Sequence, residues 1–298
     1  MVSRIQLYQE CRSAMEKAGL DDADFDTMCM FQDVLDEKNP LFEPDEAVNE
    51  EMQAMLRKMT EKRCGGYPLQ YILGTWEFYG YPFRVGEGVL IPRPDTETLI
   101  EQVIAICREK GMTSPKIADL CSGSGCIAIT LKKEIPGADV TAVELSKEAL
   151  GYLRENVRLN SADVNIIEGD VLKKDTVRML KGLDIIVSNP PYLTAQDMRE
   201  LQSEVRCEPV LALFGGNDGL GFYRAITELW RPALKTGGFI AYEFGMGQHE
   251  QVTEILRQAG FNDIRLKKDL GGIIRTAAAF KPEEWTANRP RYTDHTID

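Results

Sequence analysis

Apolar residues recur at helical spacing in the first part of the chain. Between Ile5 and about Cys64 they lie three or four positions apart among polar residues, as in AVNEEMQAMLRKMTEKR. Two prolines, Pro40 and Pro44, interrupt this pattern, and the residue before a proline is disfavoured in a helix. The pattern predicts a small bundle of helices joined by loops.

Glycine, proline and aromatic residues dominate the next stretch, from Gly65 to Glu87. Their alternation predicts short strands or a hairpin between two domains. We therefore expect a helical substrate-recognition domain at 1–75, a hairpin linker at 76–90, a main domain at 91–282 and a C-terminal tail at 283–298. The sequence IPRPDTETLIEQVIAICREK, which begins the main domain, predicts a helix with Asp95 or Thr96 as its N-cap and an apolar stripe of Ile100, Ile104 and Cys107.

After residue 115, apolar runs alternate with helical segments. This rhythm predicts an α/β domain whose mostly parallel sheet is buried on both faces. The last two runs leave no room for a crossover helix between them, so one of them is expected to be antiparallel to its neighbours. The runs are KIADLC, DVTAVE, VNIIEG, LDIIVSN, GFIAYEF, NDIRLKKD and GIIRTAAAF.

Composition narrows the functional classes. The 298 residues carry a formal net charge of -12, which argues against binding to nucleic acid through phosphate neutralisation. The chain has only two histidines, and its seven cysteines do not have the spacing of metal ligands. We therefore expect chemistry without a metal. No apolar segment is typical of a signal peptide or a membrane span, so a cytoplasmic protein without a membrane partner is expected.

A glycine turn follows the first strand of the α/β domain, in ADLCSGSGCIAI. Gly123, Gly125 and Ala128 match the spacing of a dinucleotide fingerprint, and Glu144 ends the next strand, where a carboxylate can accept ribose hydroxyls. A nucleoside cofactor is therefore expected, either a nicotinamide dinucleotide or S-adenosylmethionine. Asp119, before the turn, favours the cationic S-adenosylmethionine. Asp170, after the third strand, is a candidate acceptor for an adenine amino group, although it could equally cap a turn.

The tetrapeptide Asn189-Pro190-Pro191-Tyr192 ends the fourth strand, at the edge where open α/β sheets bind ligands. Its prolines remove two N–H donors and stiffen the backbone, and Tyr192 offers a ring for stacking. If the Asn189 oxygen and the Pro190 carbonyl accept the two N–H groups of a planar amide or aminopurine, they orient its nitrogen toward a methyl sulfonium. Asn189, Pro190 and Tyr192 are therefore the catalytic candidates.

These motifs resemble class I S-adenosylmethionine-dependent methyltransferases of the NPPY type and, more closely, the HemK/PrmC family of release factor glutamine N5-methyltransferases. The resemblance runs over nearly the whole chain, through GYPLQYILG, IPRPDTE, DLCSGSGCIAI, NPPY and EPVLALFGGNDGL. It implies a seven-stranded Rossmann-like domain behind an N-terminal helical domain. The family has glycine more commonly at the place of Cys121.

The resemblance also implies roles. Cys121, Ser122, Gly123, Ser124, Gly125 and Glu144 would bind S-adenosylmethionine, with Asp119, Asp170 and Asn189 beside it, and Asn189, Pro190, Pro191 and Tyr192 would hold the glutamine of a Gly-Gly-Gln loop. Peptide chain release factors 1 and 2 would be the partners of a monomeric enzyme that needs no metal. The alternatives are a nucleic-acid adenine or guanine amino-methyltransferase, a ribosomal-protein glutamine methyltransferase, a non-catalytic binding module and, least favoured, a nicotinamide dehydrogenase.

Overall fold

A computed structural model of the chain describes residues 2–282, so the predicted tail at 283–298 lies outside the described residues. The chain forms two compact units. The first contains the described residues up to Thr75 together with Gln202–Cys207, and the second contains Trp76–Leu201 and the described chain from Glu208 onward. No helix within the described residues is long and apolar enough to cross a membrane.

The first unit is a helical bundle, as its apolar spacing predicts. Its helices are α1 (Arg4–Lys17), α2 (Ala23–Leu35), α3 (Glu50–Cys64) and α4 (Leu69–Leu73). One part of the prediction is wrong, because α4 lies where the glycine- and aromatic-rich stretch predicted strands. Pro68 precedes this one-turn helix and Gly74 ends it with φ of 70°, so these two residues mark the boundaries of a helix.

A buried ion pair joins helices within the first unit. Arg63 Nε on α3 donates to Asp26 Oδ2 on α2 over 2.6 Å, and both side chains are buried. Arg63 Nη1 also lies 2.8 Å from Glu204 Oε1, in the segment Gln202–Cys207. One guanidinium therefore holds two separate stretches of the chain in this unit.

The second unit is the predicted α/β domain. Its strands are β1 (Thr75–Phe78), β2 (Tyr81–Arg84), β3 (Lys116–Leu120), β4 (Asp139–Glu144), β5 (Val164–Glu168), β6 (Leu183–Ser188), β7 (Leu234–Glu243), β8 (Asn262–Lys268) and β9 (Ile274–Phe280). The central sheet has seven strands in the order β5-β4-β3-β6-β7-β9-β8, and β1 and β2 form a separate two-stranded sheet. The strand β9 runs antiparallel to β7 and β8, which confirms the expectation for the last two runs.

Helices cover both faces of this sheet, and apolar clusters fill the space on each side. The strand order reverses between β3 and β6, which are paired in parallel with Leu120 opposite Ser188. A crevice at the carboxyl ends of the strands is expected at such a reversal. The helices of the unit are α5 (Pro94–Glu109), α6 (Cys126–Glu134), α7 (Lys147–Leu159), α8 (Lys174–Met179), α9 (Val210–Leu213), α10 (Gly221–Trp230) and α11 (His249–Gln258).

The start of α5 differs from its prediction. Arg93 is the N-cap and Pro94 occupies the first turn, so neither Asp95 nor Thr96 caps the helix. Proline suits this position because its missing N–H would have had no partner in the helix. The predicted stripe of Ile100, Ile104 and Cys107 is buried, as expected. The shift at the N-terminus leaves the Thr96 side chain available for a different contact.

Candidate active site

A cavity of about 200 Å³ opens at the carboxyl ends of the central strands, and its lining belongs to the second unit. The predicted site residues that line it are Cys121, Ser122, Gly123, Ser124, Glu144, Asp170, Asn189 and Pro191. The predicted residues Asp119, Gly125, Pro190 and Tyr192 are not part of its lining. Folding thus brings the glycine turn, two strand-end carboxylates and the NPPY turn around one space.

The two glycines of the turn have different tasks. Gly123 has φ of 55°, and a Cβ placed there would have no atom within 4 Å, so its missing side chain leaves space in the cavity. Gly125 has φ of 83° and is the N-cap of α6, but a Cβ there would lie 2.3 Å from Leu153 Cδ1. Gly123 therefore permits the approach of a ligand, whereas Gly125 permits packing of the protein against itself.

Cys121 begins the turn in a conformation that favours glycine. Its φ is 62°, which few residues with a side chain adopt. Cys121 lines the cavity, and burial raises the pKa of its thiol. The side chain therefore stays neutral and weakly polar. Cysteine at this place therefore keeps the left-handed turn and adds a sulfur atom to the site.

Glu144 is already engaged with the backbone. Its Oε2 accepts from the N–H of Gly123 at 2.8 Å, and its Oε1 accepts from the N–H groups of Leu145 and Ser146 at 2.8 Å each. A carboxylate has about four lone-pair sites, so these bonds leave room for about one more donor. Glu144 both fixes the glycine turn to the end of β4 and keeps an acceptor for one hydroxyl of a ligand.

Asp119 lies behind the glycine turn. Its side chain is fully buried, and its Oδ2 accepts from the N–H of Ala128 at 3.2 Å, while Oδ1 has no partner among the described residues. Burial raises the pKa of Asp119 to about 7, against the opposing effect of hydrogen bonds from Ser122 and Ala128. Asp119 therefore braces the start of α6, and its attraction to a cationic ligand stays a prediction.

Asp170 caps a turn, which is one of the two roles that its sequence context left open, and it also lines the cavity. Its side chain lines the cavity, and its Oδ1 accepts from the N–H of Leu172 at 2.8 Å in the turn after β5. The turn fixes one carboxylate oxygen and leaves the other for a ligand. This geometry is compatible with an amino group at that end of the cavity.

Asn189 connects the cavity to a buried polar cluster. Its Nδ2 donates to Thr96 Oγ1 on α5 over 3.3 Å. Burial raises the pKa of Glu243, at the end of β7, to about 7, and hydrogen bonds from Thr96 and Asn189 oppose this shift. The sequence patterns indicate neither Thr96 nor Glu243 as a site residue. Glu243 could have been found, because it ends a buried strand just as Glu144 does.

The Tyr192 ring faces the protein rather than the cavity. It packs beside Gly245, whose hypothetical Cβ would lie 3.0 Å from the ring, and against the apolar cluster on one face of the sheet. Burial raises the pKa of its phenol to about 12. The predicted stacking platform for a ligand is not observed in this arrangement, and Tyr192 anchors the turn instead.

Three glycines let other segments approach the NPPY turn closely. A Cβ at Gly215 would lie 2.6 Å from the Pro191 carbonyl oxygen, and one at Gly219 would lie 2.3 Å from that of Tyr192. Gly245 accommodates the Tyr192 ring. The segment after α9 and the turn after β7 therefore pack directly against the tetrapeptide, and Gln248 Nε2 donates to the Tyr192 carbonyl over 3.0 Å.

Another feature that sequence analysis missed lies at the rim of the cavity. Glu208 is buried, accepts from the N–H of Ile91 at 3.1 Å, and pairs with the guanidinium of Arg93, which lines the cavity. The pair joins the segment before α5 to the segment before α9. Both sequences stand out as motifs, IPRPDTE and EPVLALFGGNDGL, but their pairing has no signal in the sequence.

Family models match both units of the chain. Residues 6–74 match the PrmC N-terminal domain, and residues 96–205 match the methyltransferase small domain. Among solved structures, a methyltransferase from Pyrococcus furiosus is 18% identical with a TM-score of 0.51 over 78% of this chain and 100% of that one. The catalytic domain of hMettl16, in complex with MAT2A 3'UTR hairpin 1, is 16% identical with a TM-score of 0.54 over 84% of this chain and 87% of that one. At these identities the likeness concerns the fold alone.

Curated relatives are more similar in sequence. The release factor glutamine methyltransferase of Fusobacterium nucleatum is 39% identical and covers 93% of this chain and 78% of its own length. That of Clostridium botulinum is 36% identical and covers 90% of this chain and 95% of its own. At these coverages the similarity extends over both units. The chain belongs to the release factor glutamine methyltransferase family.

Proposed function

We propose that this protein transfers a methyl group from S-adenosylmethionine to the side-chain amide nitrogen, N5, of the glutamine in the Gly-Gly-Gln motif of peptide chain release factors. One observation carries the proposal. In a chain of this family, Asn189 and Pro191 of the NPPY turn line the same cavity as Gly123 of the glycine turn. A methyl donor and an amide can therefore meet in one space.

The residues around the cavity fit S-adenosylmethionine. Gly123 leaves space for close approach, Glu144 keeps an acceptor for a ribose hydroxyl, and Asp170 has a free carboxylate oxygen for an adenine amino group. Apolar side chains, including Val143, Leu172 and Phe222, complete the walls. When bound, S-adenosylmethionine supplies an electrophilic methyl group on a sulfonium. We assign Cys121, Ser122, Ser124 and Gly125 to the shape of the loop around it.

The NPPY turn would activate the substrate by orientation. An amide nitrogen is a poor nucleophile because its lone pair is delocalised. If the Asn189 oxygen and the Pro190 carbonyl each accept one N–H, the nitrogen points toward the methyl group, and the positive charge that develops on it is stabilised. The alkylated amide is acidic enough to lose its proton afterwards, so these residues need no strong base beside them. Pro191 forms the adjoining wall, and Tyr192 holds the turn.

The partners follow from the family. We propose release factors 1 and 2 as substrates, recognised in part by the helical domain at 1–75, with the hairpin at 76–90 leading to the methyltransferase domain at 91–282. The acidic net charge of -12 supports a protein substrate over a nucleic acid. A monomer in the cytoplasm, where release factors act, fits this role, and the proposed reaction requires no metal.

Labelling with isotopic S-adenosylmethionine tests the proposal. Purified release factor 1 or 2 should be methylated, and a variant with the Gly-Gly-Gln glutamine replaced by asparagine should not be. DNA, RNA and ribosomal protein are incubated in parallel. Equal labelling of the glutamine-free release factor, or stronger labelling of a nucleic acid, would overturn the proposal.

A further inference from the structure

The side chain of Asn189 can face the cavity with either end. Its amide carries an oxygen that accepts and a nitrogen that donates, and the two ends have nearly the same shape. Only the oxygen end can accept an N–H from a substrate amide. In the structure, Nδ2 is turned away and donates to Thr96 Oγ1 over 3.3 Å. The contact behind Asn189 therefore decides which end faces the substrate.

Thr96 alone could not make that decision. A hydroxyl both donates and accepts, so an isolated threonine would bond equally well to either end of an amide. Thr96 is 3% exposed and has no access to water that would take its proton. The carboxylate of Glu243, buried on the other side, accepts hydrogen bonds from both Thr96 and Asn189. The direction of the Thr96 hydroxyl thus depends on Glu243.

Glu243 sets a direction because an ionised carboxylate only accepts hydrogen bonds. Thr96 must then donate its proton to Glu243, so its oxygen remains to accept from Asn189 Nδ2. Glu243 is 2% exposed, and its Oε2 has no partner among the described residues. A buried carboxylate with an open acceptor is costly and calls for an explanation. The position of Glu243 behind the NPPY turn provides that explanation.

We propose that Glu243 and Thr96 are positioning residues that hold the Asn189 amide with its oxygen toward the substrate. The inference rests on the proposed function and deepens it, because it concerns how the amide-binding residue is oriented. Neither residue needs to touch the methyl group or the substrate nitrogen. Each acts through Asn189.

Protonation of Glu243 would weaken this control. A protonated carboxyl can donate to Thr96, which then no longer has to accept from Asn189. The pKa of Glu243 is raised to about 7, first by burial. The charged and titratable groups that face Glu243 are Asp95 on α5, Cys126 on α6, Tyr192, Tyr223 on α10 and Arg275 on β9. We expect kcat to fall as the pH drops through about 7.

Threonine variants test the positioning role. Thr96→Val keeps the shape and removes the hydroxyl, and it should lower kcat by about 10- to 100-fold, because loss of orientation costs rate. The calorimetric Kd for S-adenosylmethionine should change far less. Thr96→Ser should recover most of the rate that Thr96→Val loses. Thr253→Val on α11 is the matched control, because Thr253 is also buried but its hydroxyl, unlike that of Thr96, has no partner among the described residues.

Glu243→Gln tests the carboxylate. It should lower kcat at pH 8 to a similar degree and abolish the fall in kcat below about pH 7 that the wild type shows. Three results would each overturn the inference: wild-type kcat in Thr96→Val, equal losses in Thr96→Val and Thr253→Val, or an unchanged pH profile in Glu243→Gln. Failure of the wild-type protein to methylate release factor would instead overturn the proposed function.

Discussion

The side-chain amide of Asn156 donates a hydrogen bond of 2.9 Å to the backbone carbonyl of Ser124 and thereby ties α7 to the glycine turn. The same side chain accepts from the N–H of Arg84 at 2.6 Å and donates to its carbonyl at 3.0 Å. Asn156 is fully buried. One amide therefore satisfies three backbone groups, among them the buried carbonyl of Ser124.

Asn156→Ala should lower the free energy of unfolding by about 2–4 kcal/mol, because it removes three hydrogen bonds to the backbone, one of them to the buried carbonyl of Ser124. Urea unfolding followed by circular dichroism measures the change. The control is Asn165→Ala, which removes an exposed amide bonded to Asp139 and should cost less than about 0.5 kcal/mol. Equal stability of the two variants would contradict the bracing role.

Alanine at the two glycines of the turn should have separable effects. Gly125→Ala forces a Cβ against Leu153 and should destabilise the fold by about 2 kcal/mol or more. Gly123→Ala meets no protein atom, so its main effect should be weaker cofactor binding, with a smaller stability cost of about 1 kcal/mol from its positive φ. Thermal unfolding and calorimetric titration with S-adenosylmethionine distinguish the two variants. The assignment fails if Gly123→Ala binds the cofactor as tightly as wild type.

Asn189→Ala should reduce turnover far more than cofactor affinity. Removing one preorganised hydrogen-bonding group from an active site costs about 100- to 1,000-fold in kcat. Initial rates with saturating release factor measure the loss, and calorimetry gives the cofactor affinity. Near-normal turnover in this variant would remove Asn189 from the mechanism.

Two buried carboxyl groups should make stability depend on pH. Burial raises the pKa of Asp119 and of Glu243 to about 7, well above their values in the unfolded chain. Between about pH 4 and pH 7 the unfolded chain loses these protons while the folded protein retains them, so the free energy of unfolding falls as the pH rises. Each group contributes at most about 1.4 kcal/mol per pH unit.

Urea unfolding at several pH values between about 5 and 8 measures this slope. Asp119→Asn and Glu243→Gln should each flatten it, and the double variant should flatten it further, because each removes one proton-binding group. A slope that is unchanged in the double variant would show that these carboxyls are ionised in the folded protein at low pH.

The succession of strands along the chain was predictable, although their order in the sheet was not, because strands buried on both faces need apolar runs, and these stand out in the sequence. The positions of Glu144 and Asn189 followed from the same runs, since both residues come directly after one. Glu243 meets this criterion too and was overlooked. The alternation of strands and helices along the sequence therefore indicates more of the site residues than the sequence motifs do.

Contacts across the sequence were not predictable in this way. Thr96 has the chemistry of a helix cap, and only the fold shows that it faces Asn189 instead. Asn156 lies within an amphipathic helix and carries no local sign of its three backbone bonds. Tyr192 has a ring that could stack on a ligand, yet the close approach of Gly245 leaves this ring packed against the core. Such roles arise from tertiary packing.

The enclosure of the NPPY turn by Gly215, Gly219 and Gly245 bears on protein engineering. The four-residue sequence could be grafted onto another parallel sheet. The backbone there would lack the two neighbouring segments that pack against the tetrapeptide in this protein. A functional graft would have to carry the segment after α9 and the turn after β7 along with it. The smallest transferable amide-binding module of this protein is therefore three separate pieces of chain.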